Sequence, residues 1–594
     1  MKRDLLIMFL LASLLVMTGC SQENIPGGDD GVEDAQTSYL AINLRPADES
    51  STRAANGYED GTDIENHVEK VRFYFFNAVG GIANVSITSS GGYVNYYDWT
   101  PGTAGKDPNK PDDPDNTEPG NQVGGTDSND DIESKLTATI VINTAKGDKV
   151  PNMVAAVINP PADLGTESMS LTQLKEKVDN YASDAYTERD KFVMFNSIFV
   201  GDDGDGAVVI NQSGEKKNLW TTAKDAKAHP VTIYVERSVA KVRVTLGSDV
   251  SAAAGSSMLA LKDKEGQDLK VGGEQVYLKL EGWGLTADIN EGRLVKKINR
   301  NWPESWWKGT HRCFWAINSM TAANRYHNYT NSINNSLGTI TSAGESQVTT
   351  QGDALYTNEN AQLNDIDGTE GQAKNHTKVI LKGTLCKKNG SAFTAFTIVR
   401  HLGTHFADNY SETEANNLNE LKKSILNQLS AKGYKYYTQD GSTRRQIDER
   451  DLKITTATKI ESENSKNNCY VYAQLTTEAE GKTWYTSLDG NTTADKNVIN
   501  DNLKNKDIVD WALVWRDGMT YYYYEIKHLG NQIGVVRNHV YDTTVTKIAG
   551  LGTPVYDPEQ IIYPEKPDPN DHFIAAQIMI LSWRIVPSDN VLEW

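Results

Sequence analysis

The chain has 594 residues, enough for two to four domains at roughly 100 to 200 residues each. Its 59 Lys and Arg against 79 Asp and Glu leave a net charge of -20, which excludes a nucleic-acid partner read through a basic face. With 38% hydrophobic residues, 27 Tyr and 47 Gly it is too rich in strand and turn formers for a disordered acidic chain. Its four cysteines, Cys20, Cys313, Cys386 and Cys469, are too scattered for a disulfide framework or a C-x-x-C metal knuckle.

Lys2 and Arg3 precede the apolar run Leu5 to Met17, whose length of about 13 residues suits a signal-peptide core and falls short of a bilayer span. The run closes on Met17-Thr18-Gly19-Cys20, which resembles a bacterial lipobox with Met in the place usually held by Leu. Residues 1–19 are therefore expected to be removed and Cys20 acylated with palmitate; an ordinary secretory signal with an incidental Cys is the alternative. Ser21 to Asp34, rich in Gly and Asp, reads as a flexible tether.

Next comes Tyr39 to Leu44, in which Leu40, Ile42 and Leu44 share one face of a half-buried strand ending at Pro46. The polar loop Asp48 to Gly57 follows, an exposed type of segment with one basic residue, Arg53, where proteases cut. A second strand spans Val68 to Phe76. Residues 101–131 hold five prolines and a dense set of Asp, and with Asp202 to Gly206 they are the places where calcium could be held, although neither has the register of a calcium loop. Strands are expected at 138–142 and 154–158, then a helix from the Ser170/Gln173 capping box to Tyr181. Later strands are expected at 231–235, 239–246, 277–280, 378–381, 394–399, 470–475, 521–526 and 540–548, with a second helix over 412–429 and a polar surface excursion over 324–346. Strands separated by turns, with few helices, imply β-sandwiches rather than a parallel α/β sheet, and the domain break is placed near Pro230.

Chemistry is sparse. There is no nucleophile elbow, zinc helix, phosphate loop or dinucleotide fingerprint, so no enzyme, cofactor or metal is expected. His401 and His405 have helical ligand spacing but enclose Gly403 and lack the Glu of a zinc helix, and Cys313, Cys386 and Cys469 read as buried inert thiols. Trp302, Trp306, Trp307, Trp315 and the run Tyr521 to Tyr524 could stack on sugar rings, although alternation on a strand places about half of such a run in a core.

The segments Val235-Glu236-Arg237-Ser238-Val239-Ala240-Lys241-Val242, Gly282-Trp283, Phe314-Trp315-Ala316, Tyr356 to Asn360, Gly534 to Tyr541, Gly550 to Pro554 and Ile580 to Arg584 occur in an order that resembles the fimbrillins of Bacteroidia, the type V pilins. Among these the chain is most similar to the shaft subunit of the short or minor fimbriae. The resemblance implies two transthyretin-like β-sandwich domains, export as an outer-membrane lipoprotein, trimming by an arginine-specific protease and polymerisation by donor-strand exchange into a fimbrium that serves cell adhesion. On this sequence it puts the lipid on Cys20 and the cut between Arg53 and Ala54. It divides the chain into a leader (1–19), a propeptide with tether and plug strand (20–53), an amino-terminal sandwich (54–229) and a carboxyl-terminal sandwich (230–594), whose Pro-rich connector and donor strand occupy 557–594.

The residues fit that mechanism. Leu40, Ile42 and Leu44 would plug a groove, gaining roughly 2 kcal/mol each on burial, and Ile574 to Val586 is apolar on both faces. Ile574, Ala576, Ile578 and Ile580 line one face, with Leu581 and Trp583 on the other. The partners implied are further copies of the chain, accessory tip and anchor subunits, the protease, and a surface ligand of unknown kind. A tip or anchor role, or a glycan-binding surface lipoprotein, are the alternatives.

Overall fold

The computed structural model describes residues 36–46, 61–101, 136–144, 150–298, 312–316, 324–332, 354–360, 376–562, 572–581 and 585–588, less 63, 89–90, 188–190, 199–205, 213–215, 248–249, 251, 254–255, 264, 412–416, 458–468 and 529–532. The fold is mainly β, with several sheets and few short helices, as expected.

The first sheet is built from β1 (Gln36–Pro46), β2 (Val71–Phe76), β3 (Tyr96–Trp99), β4 (Leu136–Thr144), β5 (Met153–Ile158), β6 (Met194–Asn196) and β7 (Val231–Arg237). Their spatial order is β3-β2-β5-β6-β7-β1-β4, so β1 lies inside the sheet. Its core gathers Leu40, Ile42, Phe73, Phe75, Ile140 and Ile233. The alternation of β2 suggests one buried face, yet all six of its residues are buried. The second face is covered because Arg72 forks onto Asp98 at 2.7 and 2.9 Å and lies 4.1 Å from the Tyr96 ring centre.

Helix α1 (Leu171–Lys175) opens with the expected Ser170/Gln173 capping box but stops well before Tyr181. The chain leaves the helix because Val178–Asp179 pairs with Gly292–Arg293, a contact made by sequence-distant backbone. Helix α2 (Ala223–Ala228), capped by Thr222, whose hydroxyl accepts from the Asp225 amide, lies over β1 and β4.

A single residue, Ser238, separates β7 from β8 (Val239–Leu246), the first strand of the second body. There follow β9 (Glu274–Thr286), β10 (Leu355–Asn358), β11 (Lys378–Asn389), β12 (Thr397–His401), β13 (Thr404–Asp408), α3 (Asn419–Ala431), β14 (Leu452–Thr456), β15 (Tyr470–Leu475), α4 (Lys496–Lys504) and β16 (Ala512–Trp515). The chain ends with β17 (Met519–Glu525), β18 (Val540–Gly550), β19 (Thr553–Pro554), β20 (His572–Leu581) and β21 (Ile585–Ser588). One sheet runs β10-β8-β18-β20-β21 and another contains β9-β11-β17-β19. Val242, Val244, Trp283, Leu381, Tyr522 and Tyr541 belong to one core with them.

Between β12 and β16 the chain builds a lobe of its own. Its sheet, β13-β12-β16-β15-β14, packs with α3 and α4 over Leu421, Ile425, Val471, Trp484, Ile499 and Val514. Residues 412–416 of the expected second helix lie outside the described residues, and α3 runs from Asn419 to Ala431. The Asp408 carboxylate caps it from β13, accepting from the Leu421 amide at 2.9 Å.

Two glycines with positive φ differ in what a side chain would meet. Gly518, at a φ of 75°, would place a Cβ against the backbone of Leu385 in β11, whereas Gly441, at a φ of 63°, has nothing within 4 Å of that position. Gly518→Ala should therefore lower unfolding free energy by about 2–4 kcal/mol in urea titrations, and Gly441→Ala by only about 1 kcal/mol. Equal losses at the two sites would show that the contact with Leu385 carries no energetic weight.

Candidate functional site: the β1 slot and the charged junction

Strand β1 is held along both edges. It pairs parallel with β7, from Ile42 opposite Val231 to Pro46 opposite Val235. It pairs antiparallel with β4, from Gln36 opposite Thr144 to Leu44 opposite Leu136, and neither ladder has an interruption. Leu40 and Ile42 are fully buried in the first core. Ala41 is buried on the opposite face, against Val141 of β4 and Ala223 and Ala226 of α2. A small residue is required there because the helix lies directly over the strand. The side chain of Leu44 lies outside the described residues, as do Cys20, Arg53 and Ala54.

The chain leaves β1 at Pro46, beside Val235, and is next described from Gly61. Glu65 is then fastened to the same strand two residues further on. Its carbonyl accepts from Arg237 Nε at 2.9 Å, and its carboxylate meets Lys241 Nζ at 2.9 Å, the Tyr356 hydroxyl at 2.7 Å and the Thr62 amide at 2.8 Å. Burial opposes ionisation here, but Arg237 and Lys241, with the Thr62 and Tyr356 hydrogen bonds, hold the carboxyl below its ordinary range. Arg53 thus falls in sequence between two secured points, the leading one held by strand pairing and the trailing one by buried charge.

That clasp is one part of a wider buried junction where the two bodies meet. Arg537 is nearly fully buried and donates to Glu359 Oε2 at 2.8 Å and to the Leu294 carbonyl at 2.8 Å. Lys296 meets Glu236 at 3.3 Å, and Arg312 donates to the Asn538 carbonyl at 3.1 Å. His528 Nδ1 is 2.8 Å from the Tyr541 hydroxyl and Nε2 is 2.6 Å from the Phe314 carbonyl, while the Val536 amide donates to the same hydroxyl at 2.8 Å. A neutral imidazole protonated on Nε2 satisfies this chain: it donates to Phe314 and accepts from Tyr541. The segments that resemble fimbrillins at 235–242, 314–316, 356–360 and 534–541 all supply residues to the junction. The sequence signal was the charge set into apolar strand patterns, as in Glu236, Arg237 and Lys241, and that signal alone did not reveal a partner for each charge.

The terminal strand β20 lies antiparallel on β18, from Val540 opposite Leu581 to Gly550 opposite His572, with a register shift between Val545 and Lys547. Its other edge meets β21 only from Ile578 to Leu581. The backbone of Ile574, Ala576, Ile578, Ile580 and Leu581 is placed by these ladders, while their side chains and the whole of Trp583 lie outside the described residues.

The other sequence candidates go elsewhere. Trp315, Tyr521, Tyr522 and Tyr524 are buried, more of the Tyr run than the expected half, because β17 is covered on both faces by separate clusters. Trp302, Trp306 and Trp307 lie outside the described residues, as do residues 102–131, Asp202, Asp203 and Asp205. His401 and His405 sit on the β12–β13 hairpin, where His401 contacts Ser424 Oγ at 2.8 Å and the Asp510 carbonyl at 3.1 Å. Cys313, Cys386 and Cys469 are buried free thiols, and burial pushes Cys313 up to about 11. No cluster of His, Cys, Asp and Glu able to hold a metal occurs among the described residues.

Burial lowers the pKa of His528 from 6.5 to about 3, so the folded state resists protonation while the unfolded state takes a proton below 6.5. Its contribution is fully present above pH 6.5 and is lost as pH falls towards 3, at about 1.4 kcal/mol per pH unit. Urea titrations from pH 7 to pH 4 should show this slope reduced in His528→Gln; an unchanged slope would place the acid sensitivity elsewhere.

Comparison with known proteins places one part of the chain. The carboxyl-terminal fimbrillin region, described as major fimbrial subunit protein type IV, matches residues 514–589. A comparison with curated protein sequences found no match. Among solved structures, a protein of Bacteroides eggerthii provisionally described as a cell adhesion protein is 10% identical, with 94% of this chain and 98% of that one covered and a TM-score of 0.34. A Parabacteroides distasonis protein with the same provisional description is 11% identical, with 92% and 100% covered and a TM-score of 0.33. A fimbrial assembly protein of Parabacteroides distasonis is 10% identical, with 76% and 100% covered and a TM-score of 0.26. Over residues 514–589 the chain is similar to the fimbrillins.

Proposed function

We propose that the chain is a structural, non-enzymatic subunit of a cell-surface fimbria, in which β1 is a removable plug and the carboxyl-terminal strand of a neighbouring copy takes its place. The precursor is exported as an outer-membrane lipoprotein through Cys20 and cut between Arg53 and Ala54 by an arginine-specific protease. The shaft then grows by strand exchange and serves cell adhesion, with accessory subunits at its tip and anchor.

The observation that carries this reading is the double-edged seat of β1 beside a loop with a single basic residue. Leu40 and Ile42 each contribute roughly 2 kcal/mol of burial, and the β4 ladder backs both while the β7 ladder adds to Ile42. While the loop is intact, the plug is intramolecular and any competitor faces a high effective concentration. Cutting at Arg53 removes that advantage, and loss of β1 leaves β7 and β4 as two unpaired edges that template a new strand. Strand β20 is a suitable occupant. It has ten residues against the eleven of β1, and from His572 to Gln577 it is paired on one edge only. Moving into the slot would pair its stretch at the positions of Ile42 to Leu44 on both edges.

An Arg53→Ala precursor should fold to a monomer at least as stable as wild type and fail to form fibres when treated with an arginine-specific protease. Electron microscopy together with detergent-resistant ladders reads the outcome, and efficient polymerisation of the uncut chain would overturn the mechanism. Cys20→Ala should lose labelled palmitate and surface fibres together; fibres in normal number from that variant would rule out the lipoprotein route.

A further inference from the structure

The β1 slot makes unequal demands along its length. At Leu40 and Ile42 it accepts aliphatic side chains into the core, and between them, at Ala41, it leaves room for only a small one beneath Ala223 and Ala226 of α2. Because strand faces alternate, a slip of one residue exchanges the two sets of positions. Any strand entering the slot must therefore bring a small residue to the Ala41 position with aliphatic or small apolar residues on either side.

Tyr39-Leu40-Ala41-Ile42-Asn43-Leu44 of the plug and Phe573-Ile574-Ala575-Ala576-Gln577-Ile578 of the terminal strand share one pattern: aromatic, aliphatic, Ala, apolar, amide, aliphatic. Within the chain's own sheet this stretch is poorly served. Ala576 is opposite Val545 and Ala575 opposite Lys547, so the ladder shifts between these two residues, whereas the β4 ladder of the β1 slot is continuous through Ala41 and the β7 ladder joins it from Ile42 onward. Other registers fit worse. Placing Ala576 beneath α2 sends Gln577 into the core at the Ile42 position, at a cost of about 1–3 kcal/mol for an unpaired amide. Placing Ser582 there sends Trp583 to the Ile42 position, where overpacking costs about as much.

We infer that Phe573–Ile578 of one subunit adopts, in the next, the register and direction of Tyr39–Leu44, with Ala575 beneath α2 as the residue that selects the register. This rests on the strand-exchange reading above and specifies the partner at that site: residues 572–578 of a second copy. Ala576 then lies towards the core in place of Ile42, and Gln577 takes the position of Asn43.

The test uses full-length chain cut with an arginine-specific protease and synthetic peptides spanning residues 572–588, with release of the β1 fragment followed by mass spectrometry. Wild-type peptide should release the plug. Ala575→Leu should slow release at least tenfold, and Ala576→Leu, which puts an aliphatic side chain where Ile42 was, should leave the rate within about threefold. The reverse order, or equal effects, overturns the register while leaving exchange intact. No release by wild-type peptide overturns the exchange reading itself. In assembled fibres, Thr139→Cys, opposite Ala41 in β4, should cross-link to Ala575→Cys and not to Ala576→Cys of the adjacent subunit. Preferential cross-linking to Ala576→Cys would show the register displaced by one.

Discussion

The passage of one continuous strand from the first sheet into the second body is the constraint on which the rest depends. Strand β7 flanks the plug, and after Ser238 the same chain becomes β8, which pairs with β18, the strand that carries β20. The wall of the slot and the support of the terminal strand are thus two parts of a single run of backbone. Its orientation is fixed by Glu236, Arg237 and Lys241 at the crossing, each held by a buried partner from a distant segment: Lys296, Glu65 with Asn66, and Glu65.

Buried ion pairs of this kind add little net stability, since desolvation consumes most of their Coulombic gain, but leaving one charge without its partner is costly. Their consequence here is geometric. Glu65 with Lys241 bridges the two bodies, and Arg537, paired with Glu359 in the second, reaches the carbonyl of Leu294 in the first core, so these bonds hold the bodies in one arrangement. The proposed fibre, whose subunits would bind at one end and offer a strand at the other, needs that spacing to be constant. A junction secured by apolar contact alone would tolerate sliding.

Much of the fold was legible in the sequence because β structure announces itself by alternation. The extents of β8 and β15 agree with the pattern at both ends, and β1 was visible from Leu40, Ile42 and Leu44. What was hidden came from contacts between distant segments. The early end of α1, the second buried face of β2 and the capping of α3 by Asp408 depend on partners that local periodicity does not reveal. The lobe from β12 to β16 was hidden for the same reason: its strands were visible singly, but nothing local shows that they close over a core separate from the sheets on either side. At the slot, the sequence showed which face of β1 is apolar, while the requirement for a small residue at Ala41 appears only once α2 is seen to lie across it.

Under the proposed mechanism β1 has to satisfy two opposed demands, completing a core well enough for the domain to fold and leaving when its replacement arrives. Ladders on both edges and the burial of Leu40 and Ile42 meet the first. The second is met by the way the neighbouring loop is anchored. Glu65, on the far side of the loop, is held by side-chain charge that belongs to the junction, so severing the loop removes nothing from the domain interface. The clasp and the plug share β7. In the proposed mechanism a cut between them would convert β1 from a part of the chain into a ligand of it. The rest of the molecule would then stay in register to receive another strand of the same pattern.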